Sequence, residues 1–315
     1  MSDVSSETRF LHAVEIGLGA WQWGDRLVWG YGQTHNDKEI RELFDLSLSL
    51  GVRFVDTAEV YGSGYSERLL GRFLKEAEQP ALVATKFFPW PWRLTTGFIP
   101  RALRASLERL GLEAVDLYQI HWASPLMSPE RMMEGMAECV KRGWARTVGV
   151  SNFSEKLMLR AYSTLARHGI PLASNQVHYS LLRRDIEKNG LLARCKDLGV
   201  RVIAYSPLEM GLLSGKYSSQ NPPPGYRGSQ YADLLRRLPP LIDLLREIGL
   251  KHGDKTVSQV ALNWVICKGA LPIPGAKNAR QAELNAGGAG WRLSDEEVAA
   301  LDEAADKVRE HKKTA

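Results

Sequence analysis

Cysteine is scarce in this chain of 315 residues. There are three, Cys139, Cys195 and Cys267, an odd number without the spacing of a metal site or a redox pair. A disulfide scaffold is excluded, and buried thiols in a reducing compartment are expected. Charge of one sign is not concentrated anywhere. Lys and Arg number 41 against 36 Asp and Glu, for a pI near 9.0, but the two signs interleave without a basic tract, which argues against a nucleic-acid partner. The opening MSDVSSETRF has neither the basic start nor the apolar core of a secretion signal. No run approaches the roughly 18 apolar residues of a membrane span. A cytoplasmic protein without membrane contact is therefore expected. His12, His35, His168, His178, His252 and His311 show no ligand spacing, so no metal site is expected. Of these, His178 alone lies near a strand end. A G-x-G-x-x-G fingerprint is missing as well, since Gly17 and Gly19 lack the later glycine.

What is present is a soluble globular composition, 44% hydrophobic and 24% charged. Short, continuous apolar runs at 16–20, 52–56, 81–85, 115–120, 147–150, 172–176, 200–205 and 271–274 read as strands covered on both faces. Helical segments separate them. Asn36 with Glu39 is a capping pattern ahead of Ile40, Leu43, Phe44 and Leu48. Ser128 and Pro129 start a helix whose Met132, Met133 and Met136 stripe reads as core. Eight alternations predict one (β/α)8 TIM barrel over residues 1–315, with an open doubly wound sheet as the alternative. The segment 211–240, containing NPPPGYRGS, reads as a mobile loop after the seventh strand. Extra helices are expected at 241–250 and 257–266, before the eighth strand. A capped C-terminal helix follows, beginning at Ser294 and Glu297.

Reactive groups of such barrels sit at the carboxyl ends of the strands. Those ends carry Asp56 and Tyr61, Lys86, His121, Ser151 and Asn152, Gln176, and Tyr205 with Ser206. A buried phenol is a poor acid at neutral pH, but an ammonium beside it favours the phenolate. Lys86 is placed to supply that ammonium, Asp56 to keep it charged, and His121 to orient a substrate oxygen. Taken singly, each residue reads as structural. Four at four strand ends describe a general acid aimed at a carbonyl oxygen.

DTAEVYG, ATK and QIHW, which hold Asp56, Tyr61, Lys86 and His121, resemble the catalytic tetrad of the aldo-keto reductases. The likeness continues through GVSNF, NQVHYS, AYSPLEMGLLSGKY and PIPGAKNARQAELNAG, in order along nearly the whole chain. The resemblance implies NADPH bound extended across the barrel mouth, hydride transfer to a small aldehyde or ketone, and Tyr61 as acid. It assigns Ser151, Asn152 and Gln176 to the nicotinamide carboxamide and Tyr205 to stacking on the ring. Ser206, Pro207, Leu208 and Lys216 go to the pyrophosphate loop, and Gly275, Lys277, Gln281 and Asn285 to the adenosine end. Lys277 is matched to a 2′-phosphate, with Arg227 and Arg280 as weaker candidates. Gly19, Ala20 and Trp21 complete the expected cofactor set. Leu284 stands where the family often carries Glu, so the adenine contact is expected to differ. Trp21, Trp23, Trp29, Tyr31, Phe87, Phe88, Trp90, Trp92 and Trp122 follow strands one, three or four and are candidates for an aromatic pocket wall. VWGYGQ, PWRLT and GWRL are similar to the branch that contains pyridoxal reductases. A slow, nucleotide-sensing or channel-associated subunit of the same fold, and a barrel hydrolase or isomerase without nicotinamide, are the alternative readings.

Overall fold

Each of the eight apolar runs is a parallel strand, and they pair in chain order: β1 (Gly17–Gly19), β2 (Phe54–Asp56), β3 (Leu82–Phe87), β4 (Val115–Ile120), β5 (Ala145–Ser151), β6 (Leu172–His178), β7 (Arg201–Tyr205) and β8 (Leu271–Pro272). The computed structural model describes residues 6–26 and 28–310. The ends of the expected 1–315 domain, and His311, lie outside them. β8 pairs with β7 through Ile203 and Leu271. The ring closes on the other side where Gly19 N donates to Pro274 O at 3.1 Å beside a parallel bridge to Gly275. A Cβ at Gly19 would lie 2.8 Å from Ile273 O, so only glycine permits that approach. The fold is the expected barrel.

The predicted caps form. The Asn36 side chain accepts from Lys38 N, and Glu39 Oε2 accepts from Asn36 N, starting the helix Asp37–Ser49. Ser128 Oγ accepts from Arg131 N at the start of Pro129–Lys141. Met132, Met133 and Met136 on that helix are fully buried in the core between helices and barrel. A separate small cluster, Leu11, Phe54, Ala84, Leu117, Ala173, Ile203 and Leu271, plugs the barrel interior. The expected extra helices appear as Pro239–Lys251 and Val257–Cys267, and the C-terminal helix as Asp295–Glu310.

The segment after β7 differs from the loop expected there. It contains a 3-10 stretch at Glu209–Ser214 and helices at Tyr226–Gln230 and Ala232–Arg237. Leu235 and Leu238 bury almost completely, and that apolar spacing stabilises helix once the flanking elements supply a surface. Among the described residues no helix is long and apolar enough to cross a membrane.

Candidate active site

Asp56 ends β2 and Lys86 lies one residue from the end of β3, so the barrel wall brings their side chains together in its interior. Both are buried, at 2% and 0% exposure. The Lys86 ammonium donates to Asp56 Oδ2, to Thr57 O at 2.8 Å and to the Tyr61 hydroxyl at 3.3 Å. All three ammonium hydrogens therefore have acceptors. The second carboxylate oxygen, Asp56 Oδ1, accepts from Gln119 Nε2 at 3.2 Å and Gln176 Nε2 at 2.8 Å. Gln119 was not singled out from the sequence. The signal was its spacing of two from His121, which sets both residues on one side of β4.

Burial opposes the Lys86 charge, but Asp56 and then Tyr61 outweigh it, and its pKa is raised. For Tyr61 burial is the largest influence and pushes the phenol up. Lys86 pulls the other way without overcoming it. That corrects the expectation that the ammonium would leave Tyr61 more acidic than a free tyrosine. In this pocket the phenol stays protonated at neutral pH, and Lys86 acts by stabilising the charge left once the proton departs. Burial and then the Lys86 charge push His121 down to about 3. Its imidazole is neutral, and Nδ1 is buried without a hydrogen-bond partner. The ring meets Tyr61 edge-on, with centroids 5.7 Å apart, and Phe88 at the same separation.

These groups lie at one cavity of about 640 Å³. Asp56, Tyr61 and His121 line it; Lys86 sits behind them. The lining also includes every residue assigned by resemblance to the cofactor: Gly19, Ala20, Trp21, Ser151, Asn152, Gln176, Tyr205, Ser206, Pro207, Leu208, Lys216, Gly275, Lys277, Gln281 and Asn285. Leu284 and Arg227 join them and Arg280 does not. Several polar groups are already committed. Asn152 donates to His121 O at 3.1 Å and Ser151 Oγ at 3.0 Å, while its Oδ1 accepts from the Tyr205 hydroxyl at 3.0 Å. Its backbone is left-handed, at φ 60°. Asn152 therefore holds Tyr205 and the His121 strand end in place, with one lone pair of Oδ1 to spare.

Three cations that line the cavity, Lys216, Arg227 and Lys277, lie near one another. Burial, then Arg227 and Lys216, lower the Lys277 pKa, and no acidic group counters the shift. Lys277 Nζ donates to Trp29 O at 2.8 Å and Thr34 Oγ1 at 3.3 Å. The Trp29 ring lies 5.4 Å from Lys277 Nζ and 5.9 Å from the Arg227 guanidinium carbon, and its Nε1 is buried without a partner. Repelling cations and an orphaned donor in one cleft suit a polyanion. A dinucleotide phosphate fits that arrangement.

The aromatic wall is narrower than expected. Trp21, Trp29 and Trp122 line the cavity. Trp23, Tyr31 and Phe87 instead pack into the core, because the chain after β1 turns inward and Phe87 is still part of β3. Phe88, Trp90 and Trp92 form a ladder beside His121, with Trp90 and Trp92 stacked at 5.2 Å. His178 stacks on Tyr205 and is not part of the lining.

The sequence model of the Aldo/keto reductase family matches residues 15–306. A chloroplastic pyridoxal reductase of Arabidopsis thaliana is 42% identical over 303 residues, 92% of this chain and 82% of the relative. Among solved structures, a thermostable aldo-keto reductase in complex with the inhibitor epalrestat superposes with TM-score 0.75 at 32% identity, covering 92% of this chain and 94% of the other. An aldo-keto reductase of Klebsiella pneumoniae in complex with NADPH superposes with TM-score 0.71 at 28% identity, covering 92% and 90%.

Proposed function

Because the chain belongs to the aldo/keto reductase family and is an NADP-dependent oxidoreductase, we propose that it reduces an aldehyde or ketone to an alcohol, with Tyr61 giving the proton. The observation that carries this reading is the buried Asp56–Lys86–Tyr61 chain beside neutral His121, at one cavity that Lys216, Arg227 and Lys277 also line. Bound NADPH supplies the hydride. Ser151, Asn152, Gln176 and Tyr205 would hold its nicotinamide end. Ser206, Pro207 and Leu208, with Gly19, Ala20 and Trp21 opposite, would hold the middle. Lys216, Gly275, Lys277, Gln281 and Asn285 would hold the adenosine end, with Lys277 on the 2′-phosphate.

The geometry supports these proton-transfer roles. Tyr61 begins protonated because burial favours the neutral phenol. As it donates, its oxygen becomes an anion 3.3 Å from an ammonium that Asp56 keeps charged, a stabilisation largest in the transition state. Neutral His121 can donate a hydrogen bond to the substrate oxygen without adding a like charge beside Lys86. Gln176 has its nitrogen tied to Asp56, which leaves Oε1 free to accept from a carboxamide.

Trp21, 6.4 Å from the Tyr61 ring, and Trp122 in the lining favour a flat substrate, and the Arabidopsis relative's name makes pyridoxal the first aldehyde to try. The test is nicotinamide absorbance with NADPH and a panel of aromatic and aliphatic aldehydes and ketones that includes pyridoxal. Oxidation of NADPH with at least one member is expected. Tight NADPH binding with no turnover across the panel would favour the slow, nucleotide-sensing reading instead.

A further inference from the structure

Behind the Tyr205 ring stands a pair of titratable side chains that the proposed reaction leaves unused. His178 and Tyr205 are register partners on β6 and β7. Their rings stack with centroids 5.1 Å apart and planes 26° from parallel. Tyr205 lines the cavity and His178 does not, so the imidazole covers the tyrosine on the side away from it. Nε2 of His178 approaches Glu209 Oε1 to 2.8 Å. Nε2 meets no acceptor in good hydrogen-bond geometry, so the two side chains are held in close polar contact rather than by a well-formed bond. The same carboxylate oxygen accepts the Ser180 hydroxyl at 2.8 Å, and Glu209 is 8% exposed.

Glu209 also sits in a strained turn. Ser206, Glu209 and Met210 all take left-handed backbone, at φ 50°, 46° and 52°, which residues with a side chain hold only where their surroundings impose it. Met210 and Gly211 line the cavity immediately afterwards. One buried carboxylate thus ties together the back of Tyr205 and the turn that covers the cleft.

We propose that Glu209 and His178 are positioning residues for the cofactor. Glu209, anchored on Ser180, holds the His178 ring against Tyr205 and keeps the 206–211 turn in its strained form. Together they fix the plane on which the nicotinamide stacks. This rests on the reading of Tyr205 as that stacking surface.

Calorimetric titration of the full-length protein with NADPH, beside steady-state kinetics, tests it. His178→Ala is expected to raise the NADPH Kd about 2- to 10-fold, the range that one aromatic stack spans. The carbonyl-substrate KM, and kcat at saturating NADPH, should stay at wild-type values. His178→Phe keeps a stacked ring and is expected to bind NADPH as the wild type does. Glu209→Gln keeps an acceptor for Ser180 but not the charge, and should fall between wild type and Glu209→Ala. Binding stoichiometry separates a misfolded Glu209 variant from a weakly binding one, and the two His178 variants decide the matter without it. Wild-type affinity in His178→Ala, or equal losses in the alanine and phenylalanine variants, would overturn the inference. Tyr205→Ala is the reference: if it too binds NADPH unchanged, the stacking role of Tyr205 is what fails.

Discussion

Removing Asp56 should cost more stability than removing Lys86, although the two form one ion pair. Breaking a buried pair by deleting one partner generally costs about 3–5 kcal/mol, because an uncompensated charge stays behind. The structure makes the two halves unequal. In Lys86→Met the Asp56 carboxylate keeps two amide donors, Gln119 and Gln176, and such charge-assisted bonds contribute about 1.5–3 kcal/mol each in general. The loss should fall at or below the lower end, about 2–3 kcal/mol. In Asp56→Asn the Lys86 ammonium retains Thr57 O and the Tyr61 hydroxyl, both uncharged. It can escape by shedding its proton, which from an unperturbed pKa near 10.4 costs at most about 4.6 kcal/mol at pH 7. A loss of about 4 kcal/mol is expected there. The double variant should cost less than the sum, since neither charge remains. Urea unfolding without NADPH gives all three values free of cofactor linkage. A Lys86→Met variant as destabilised as Asp56→Asn, or both near wild type, would refute the assignment of Gln119 and Gln176 as the carboxylate's reserve partners.

Other outcomes follow from the same geometry. Lys277→Met should raise the KM for NADPH several-fold and leave that for NADH nearly unchanged, because the lost contact is to the extra phosphate; equal effects on both would place Lys277 elsewhere. His121, pushed down to about 3, is uncharged in the folded protein while an unfolded histidine titrates near 6.5. The unfolded chain therefore binds the extra proton between those values, so His121 should make stability fall as pH drops below about 6.5, and His121→Asn should flatten that part of the stability–pH curve. Gly19→Ala puts a methyl 2.8 Å from Ile273 O at the barrel seam, and overpacking of this kind costs about 1–3 kcal/mol, measurable as a lowered urea midpoint.

The barrel was legible because parallel strands buried on both faces leave continuous apolar runs, and eight of them alternate with capped helices. Strand limits were off by one or two residues at several ends, for instance β5, which extends through Ala145 and Ser151. Runs of apolar letters do not record where pairing with a neighbour stops. The site was legible as residues at strand ends, but its wiring was not. That Gln119 and Gln176 share Asp56 Oδ1, or that Glu209 reaches His178, depends on contacts between strands distant in sequence. The aromatic wall was overestimated because Trp23 and Phe87 sit beside cavity residues in sequence while their side chains point into the core. The short helices Tyr226–Gln230 and Ala232–Arg237 were hidden by a Pro- and Gly-rich stretch whose turn signals outweighed the weaker Leu235 and Leu238 pattern.

The central claim is that Tyr61 delivers the proton and Lys86 stabilises the oxygen it leaves behind. Single-turnover oxidation of bound NADPH by an accepted aldehyde, in wild type and in Tyr61→Phe, measures that step without product release. The account predicts NADPH affinity close to wild type and a hydride-transfer rate reduced by roughly 100-fold or more, the usual contribution of a positioned general acid. A phenylalanine variant that oxidises NADPH within a few-fold of the wild-type rate would contradict it.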